Sequence, residues 1–316
     1  MKNRIKKPAL IYDTYKYLPD GLYKNKGYTL VFTFSRIWCV PNFFANLNQM
    51  KINLNNCHLL IIDNTYFSEL EKVLLAKADI LSKVFKSVRV LKTYEAFGGC
   101  LIPKTRQCVP GAACIHIYNM HMEMLKHIHT RRFVLIEDDT LPPQRAILRL
   151  MNSLKRNKNA GIVTAIEPTQ CTSPYAKTRL GVHYVKRDGW RLTERLSLKM
   201  QRNGLKKVDA CGWYCFASYK DVWAKGFEGM KKYLNIIPHF ALDTIHTNNI
   251  KEAGYDILAD FSLRCKHMTN AGKSIYFSET KQSTPMLDIY LPDYDMYAAG
   301  LLVDWDKILK KRWNLC

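Results

Sequence analysis

The sequence lacks long apolar runs, and no stretch approaches the roughly 20 consecutive apolar residues that a helix needs to cross a bilayer. The basic N-terminal segment is interrupted by Pro8, Asp13 and Lys16, so it also lacks the apolar core of a signal peptide. These absences predict a protein that stays in the cytoplasm where it is made.

The sequence also lacks closely paired cysteines, internal repeats and low-complexity tracts. Its 10 cysteines are scattered without C-x-x-C spacing. Reduced, buried thiols are therefore expected rather than disulfides or a zinc cluster. The hydrophobic content of 47% predicts a globular chain with a large core.

Acidic residues are scarce relative to basic ones. Lysine and arginine number 48 against 27 acids, which gives a formal net charge of +21. Solubility requires much less charge than this, so the excess predicts a polyanionic partner. Nucleic acid is the first candidate and an anionic membrane surface is the second.

Apolar runs alternate with helical patterns along the chain. Strands are predicted at 28–34, 57–63, 87–94, 161–166, 208–218 and 255–259. Helices are predicted from Pro41 onward and at 68–81, 112–129, 144–155, 239–253 and 303–313. The irregular stretch at 98–110 suits a substrate loop. This alternation predicts an α/β, Rossmann-like domain with a central, mostly parallel sheet flanked by helices.

One strand ends in three consecutive acids. The segment RRFVLIEDDTLPP places Glu137, Asp138 and Asp139 directly after an apolar run. Such acids would repel one another at a buried strand end unless a cation neutralised them, and Mg2+ or Mn2+ suits oxygen ligands. The alternative is an exposed turn in which Asp139 caps a helix that begins near Pro142.

The segment 176–207 is strongly basic, with Tyr184 and Trp190 interleaved. Its basic residues are Lys177, Arg179, Lys186, Arg187, Arg191, Arg195, Lys199, Arg202, Lys206 and Lys207. Basic and aromatic side chains together suit a nucleic-acid backbone flanked by stackable bases. The alternative is a solvated hairpin or helix face.

The order of four features resembles the GT-A glycosyltransferases, especially the family-two type. These features are Asp63 at the end of the second strand, the acidic triplet, Asp243 opening a late helix, and His267 after the next strand. The resemblance covers about residues 28–268. It departs from the family in that Glu137 replaces the first aspartate of the DxD motif and Leu242 precedes Asp243 where the family has an acid.

The resemblance implies a role for each matching residue. Asp63, Glu137 and Asp138 would bind the nucleotide-sugar, Asp139 and His267 would bind the metal ion, and Asp243 would be the catalytic base. The acceptor would contact Lys186, Arg187, Trp190, Arg191, Trp213 and Tyr214. The cofactors implied are Mn2+ or Mg2+ and a UDP-sugar, with UDP-glucose as the donor expected first.

With the basic segment, the resemblance predicts inverting sugar transfer to the hydroxymethyl group of a modified pyrimidine in duplex or single-stranded DNA. The chain is similar in this to phage and base J DNA glucosyltransferases, and a phage-encoded protein would act in the host cytoplasm. One alternative is transfer to a lipid-linked or surface polysaccharide. Another is a non-catalytic nucleic-acid-binding protein on a degenerate transferase fold. The sequence leaves the oligomeric state open.

The resemblance also predicts the organisation of the chain. Residues 1–27 would form a basic N-terminal extension, and 28–272 would form the GT-A domain. Its donor half would span about 28–140, and its acceptor half about 141–272, including a basic insertion at about 176–207. Residues 273–316 would form a C-terminal extension that ends in a basic helix.

Overall fold

The computed structural model describes residues 8–15, 27–35, 39–64, 68–93, 112–167, 179–199, 203–234, 237, 242–268 and 274–275. The loop predicted at 98–110 and the helix predicted at 303–313 lie outside these residues.

A nine-stranded sheet forms the centre of the protein, in the order β1-β4-β3-β2-β5-β12-β7-β13-β10. Its strands are β1 (Ala9–Asp13), β2 (Tyr28–Phe34), β3 (Cys57–Asp63), β4 (Ser87–Lys92), β5 (Arg132–Glu137), β7 (Ala160–Ile166), β10 (Leu205–Val208), β12 (Cys215–Tyr219) and β13 (Asp256–Arg264). Only β1, β10 and β12 run against the other strands. The predicted mostly parallel sheet is therefore confirmed.

Helices cover both faces of this sheet. They are α1 (Val40–Gln49), α2 (Ser68–Leu81), α3 (Ala112–His127), α4 (Ala146–Arg156), α5 (Lys220–Lys225) and α6 (Leu242–Glu252). Along β2, Phe32 packs into one core cluster and the adjacent Val31 into another, so both faces of the strand are buried. A strand enclosed on both faces favours apolar residues on both sides, and β2 has Leu30, Val31 and Phe32 in succession at its centre.

Two smaller sheets flank the central one. The first contains β8 (Arg179–Asp188), β9 (Arg191–Lys199) and β11 (Ala210–Cys211), and the second contains β6 (Thr140–Leu141), β14 (Lys266–Met268) and β15 (Ser274–Ile275). Strands β8 and β9 form an antiparallel hairpin, so much of the basic segment is a hairpin with an exposed outer strand. The second small sheet ties the segment after β5 to the segment after β13.

The single strand predicted at 208–218 is wrong. The run is divided among β10, β11 and β12 because each part pairs with a different strand. Between β11 and β12 the chain turns, and the Gly212 N–H donates to the Gly181 carbonyl at 2.8 Å. Another difference is that β1, from the predicted N-terminal extension, adds an edge strand to the sheet. Among the described helices, none has the length and apolar character needed to traverse a membrane.

Candidate functional site

The carboxyl ends of the parallel strands place several acids on one edge of the sheet. Strands β3, β5 and β7 run in the same direction and end at Asp63, Glu137 and Ile166. Strand β12 runs in the opposite direction, so its start, just after Gly212, lies at the same edge. In α/β sheets the crevice beyond these strand ends is the usual ligand site.

The acids that follow β5 are buried rather than solvated. Asp138 and Asp139 are each 1% exposed. The Asp138 carboxylate accepts the Ser35 N–H at 2.7 Å, which ties the end of β2 to the end of β5. Helix α4 begins only at Ala146, with Arg145 at its N-cap. The alternative, an exposed turn in which Asp139 caps the following helix, is therefore wrong.

Asp139 and His267 are brought together from distant parts of the sequence. Strands β6 and β14 pair, and the Met268 N–H donates to the Asp139 carbonyl at 2.7 Å. This pairing places the His267 imidazole beside the Asp139 carboxylate, with 3.3 Å between Nε2 and Oδ2. The two residues that the resemblance predicted as metal ligands are therefore neighbours.

A third residue, Glu167, lies beside Asp139 and His267, and the sequence did not predict it as a site residue. It follows β7 directly, is 2% exposed, and its Oε2 lies 3.5 Å from Nδ1 of His267. The Thr140 hydroxyl donates to its Oε1 at 2.7 Å. Burial raises the pKa of Glu167 above its ordinary value, and the positive charge of a protonated His267 acts in the opposite direction. The signal in the sequence was an acid directly after an apolar strand, as at Asp63 and Glu137.

A divalent ion at this edge of the sheet would have few protein ligands. Among the described residues, no three His, Cys, Asp or Glu side chains converge as an all-protein metal site would need. Asp139 and His267 offer two ligands, and Mg2+ typically combines few protein ligands with phosphate oxygens and water. Ligand atoms at right angles around an octahedral ion lie roughly 3.0 Å apart, close to the 3.3 Å between Oδ2 and Nε2. The spacing of the pair therefore fits two adjacent ligands of one divalent ion.

Asp243 lies in the first turn of α6, as the sequence predicted. Its Oδ1 accepts the Thr244 N–H at 2.6 Å, and the Thr244 hydroxyl lies 3.2 Å from the same oxygen. Burial raises the pKa of Asp243 to about 6, while these hydrogen bonds and the charge of Arg195 act in the opposite direction. A carboxylate with this pKa is largely ionised at neutral pH and still basic enough to accept a proton.

Gly212 lies between Asp243 and the segment that contains Glu167. A β-carbon on Gly212 would lie 3.2 Å from Oδ2 of Asp243 and 2.8 Å from the Tyr214 ring. The Gly212 N–H donates to Gly181, whose own N–H donates to the Glu167 carbonyl at 2.9 Å. Two successive backbone hydrogen bonds therefore link Gly212, which lies next to Asp243, to Glu167.

The two predicted aromatic acceptor contacts are packed inside the protein. Trp213 and Tyr214 are each 6% exposed. Trp213 packs against Trp223 and His246, with ring centroids 5.7 and 5.1 Å apart. The Tyr214 hydroxyl donates to the Ala165 carbonyl at 3.0 Å. Both rings are therefore part of the protein interior, and their contact with an acceptor stays a prediction.

Asp63 is fully buried, and its carboxylate forms an ion pair with Lys92 at 2.5 Å. The adjacent Asn64 side chain accepts the Thr93 hydroxyl at 3.0 Å and lies 2.8 Å from Nε2 of His116. Asp63 thus shares the sheet edge with the other acids, but its carboxylate is engaged by Lys92. Its contact with a nucleotide base stays a prediction.

The hairpin carries the remaining predicted acceptor residues. Lys186 forms an exposed ion pair with Glu194 at 2.8 Å. Trp190 stacks on Tyr233 with 5.2 Å between centroids, and the Arg191 guanidinium lies 5.4 Å from the Trp190 ring.

Arg187 faces the body of the protein instead. Its guanidinium donates to the side-chain oxygens of Asn248 and Asn249 at 3.1 and 2.6 Å. The Arg195 guanidinium lies 3.4 Å from the Thr244 hydroxyl. These contacts fasten the hairpin to α6, so Arg187 has a structural partner, and its predicted contact with DNA is untested.

No protein-family model matches this chain, and no curated protein matches its sequence. Among solved structures, the chain is similar to a crystal structure of GalNAc-T7 with UDP, GalNAc and Mn2+. The two share 11% sequence identity with a TM-score of 0.49, and the match covers 76% of this chain and 43% of that chain. This chain thus spans less than half the length of GalNAc-T7, and at this level of similarity the two need share neither substrate nor activity.

Replacing Gly212 by alanine should lower the free energy of unfolding. The added methyl would press on the Tyr214 ring and approach Asp243, and overpacking of this kind costs about 1–3 kcal/mol. Urea unfolding of Gly212→Ala should report this loss. In a Tyr214→Ala background most of the cost of Gly212→Ala should disappear, because the ring that it meets is gone. Equal costs in both backgrounds would contradict the contact.

Proposed function

We propose that this protein is a metal-dependent glycosyltransferase of the GT-A type that uses a nucleotide-sugar, with a UDP-sugar as the first candidate. The observation that carries the proposal is the meeting of Asp139 and His267, 3.3 Å apart, at the carboxyl edge of the sheet. Transfer from a nucleotide-sugar requires a place for a diphosphate and its cation. This pair, with Asp63, Glu137 and Asp138 along the same edge, would form that place.

Asp139 and His267 would hold the ion through Oδ2 and Nε2. When bound, a divalent ion neutralises the charge that develops on a diphosphate leaving group. Asp243 would accept the proton of the acceptor hydroxyl. At the same time the hydroxyl oxygen would form a bond to the anomeric carbon, and the bond between that carbon and the diphosphate would break. Direct displacement of this kind inverts the configuration at the anomeric carbon.

The acceptor in this proposal is the hydroxymethyl group of a modified pyrimidine in DNA. The net charge of +21 supports a polyanionic acceptor. The hairpin supports it further, because the outer strand β9 is largely exposed and carries Arg191, Arg195 and Lys199. The same hairpin contacts α6, the helix that carries Asp243. An acceptor held on the hairpin would therefore lie near the proposed base.

The decisive experiment offers Mn2+ and a panel of nucleotide-sugars with hydroxymethylcytosine DNA, hydroxymethyluracil DNA and unmodified DNA. Nucleoside mass spectrometry should find an added hexose or pentose on a hydroxymethylated base only. Asp139→Asn should lower turnover by at least about 100-fold while duplex binding survives, because the substitution removes a ligand and not the basic surface. Transfer to a lipid or glycan alone would exclude the DNA acceptor, and undiminished turnover by Asp139→Asn would exclude the metal role.

The role of Asp243 predicts a defined pH profile. A general base must be ionised, so kcat/KM should fall about tenfold per pH unit below the pKa of about 6 and level off above it. Asp243→Asn should lose at least about 100-fold in kcat and lack this acidic limb. Asp221→Asn, which removes another acid from the first turn of a helix, should keep the wild-type profile. An acidic limb that survives in Asp243→Asn at saturating Mn2+ would show that the limb arises from another group and would contradict the role of Asp243 as the base.

The hairpin should govern affinity for DNA through its charges. Lys186→Ala and Arg191→Ala should each weaken duplex binding and reduce the slope of log affinity against log salt by about one. Lys72→Ala, an exposed lysine on α2, serves as the control and should leave the slope unchanged. Binding titrations over a series of salt concentrations measure the slope. Equal effects of all three substitutions would mean that DNA contacts the charged surface without preference for the hairpin.

A further inference from the structure

The His267 ring lies between two carboxylates. Its Nε2 is 3.3 Å from Oδ2 of Asp139, and its Nδ1 is 3.5 Å from Oε2 of Glu167. A histidine that binds a metal through one ring nitrogen commonly donates the proton of the other nitrogen to a carboxylate. Glu167 occupies the position that such a carboxylate would take if Nε2 faced the ion.

Glu167 is itself held in place. The Thr140 hydroxyl donates to Oε1 at 2.7 Å, which leaves Oε2 on the side of His267. Thr140 and His267 are paired residues of the β6–β14 ladder. The hydroxyl that orients Glu167 and the ring that Glu167 faces are therefore fixed by the same backbone pairing.

Packing alone gives little reason for an acid at this position. Glu167 is 2% exposed and lies close to Asp139, so its charge is removed from water and placed near another acid. A neutral side chain of similar size would fill the same space at lower cost. The contacts that Glu167 makes instead point to a role directed at His267.

We propose that Glu167 is a positioning residue for the metal site. Its carboxylate accepts the Nδ1 proton of His267, fixes the tautomer of the ring, and leaves the Nε2 lone pair directed at an ion shared with Asp139. The inference rests on the proposed function, because it takes Asp139 and His267 to be the ligands. It adds Glu167 and Thr140 as the residues that set the geometry and affinity of the site.

The first test measures Mn2+ affinity in the presence of UDP, by electron paramagnetic resonance of free Mn2+, on the full chain. Glu167→Ala should weaken Mn2+ binding by about 10–100-fold, the usual effect of removing such a partner. Glu167→Gln keeps an oxygen that can accept the Nδ1 proton and should lose only a small part of this affinity. Thr140→Val removes the hydroxyl that donates to Glu167 but keeps the backbone pairing with His267, so its Mn2+ affinity should fall between the two.

Asp260→Asn is the matched control. Asp260 is also a buried acid, 3% exposed, but its carboxylate pairs with Arg149 at 3.0 Å rather than with His267. This variant should bind Mn2+ as the wild type does, whatever it loses in thermal stability. A loss of Mn2+ affinity equal to that of Glu167→Ala would mean that general destabilisation explains both, and would overturn the proposal.

The second test reads the hydrogen bond directly, from the 1H chemical shift of the His267 Nδ1 proton with the diamagnetic ion Mg2+ and UDP. In the wild type this proton should be shifted downfield because a carboxylate accepts it, and Glu167→Ala should lose the shift, which a purely structural role of Glu167 would not alter. If Glu167→Ala does not fold, Glu167→Gln and Thr140→Val carry the test, and wild-type affinity and a wild-type proton shift in Thr140→Val would overturn the proposal.

Failure of this inference can be distinguished from failure of the proposed function. A wild-type protein that binds no Mn2+ with UDP or another nucleoside diphosphate would refute the metal-dependent reaction, and this inference with it. A wild type that binds Mn2+, together with a Glu167→Ala variant that binds it equally well, would refute only the role of Glu167.

Discussion

Buried carboxylates at one edge of the sheet set the local structure around them. Asp138, Asp139 and Glu167 are each at most 2% exposed, and each needs a donor or a positive charge in place of water. Asp138 takes a backbone N–H from the segment after β2, and Glu167 takes the Thr140 hydroxyl. Asp139 takes a histidine from the segment after β13. The chain therefore has to bring the ends of four strands together for this edge to be stable.

The glycines near Tyr214 satisfy a second constraint. A β-carbon on Gly181 would lie 2.5 Å from the Tyr214 ring, and one on Gly212 would lie 2.8 Å from it. The ring therefore fits only where both neighbours lack a side chain. Its hydroxyl donates to the Ala165 carbonyl near the end of β7. The Tyr214 ring therefore packs against both glycine-bearing segments and is anchored at the end of β7.

The sequence predicted the parts of the fold that depend on local patterns. The strand at 28–34 is enclosed on both faces and was recognisable from its β-branched and aromatic residues, YTLVFTF. The order of the motifs predicted that Asp139 and His267 act together. The pairing of β6 with β14 explains why the two side chains meet. Glu167 was missed because one acid after a strand resembles a turn residue until the fold places His267 beside it.

Patterns failed where the outcome depends on which partner a segment meets. Residues 208–218 have the composition of one strand, yet their neighbours draw them into three. Trp213 illustrates the same limit, because an aromatic residue after a glycine suits a ligand contact and a core position equally well. The structure packs it against Trp223 and His246, and no local feature of the sequence distinguishes the two environments.

The attachment of the hairpin to α6 has a mechanical consequence. Arg187 grips Asn248 and Asn249, and Arg195 reaches Thr244, so the hairpin and the helix are joined at two separate points along the helix. A two-point attachment resists rotation as well as translation. A displacement of the outer strand would therefore be expected to carry the first turn of α6, and the carboxylate of Asp243, with it.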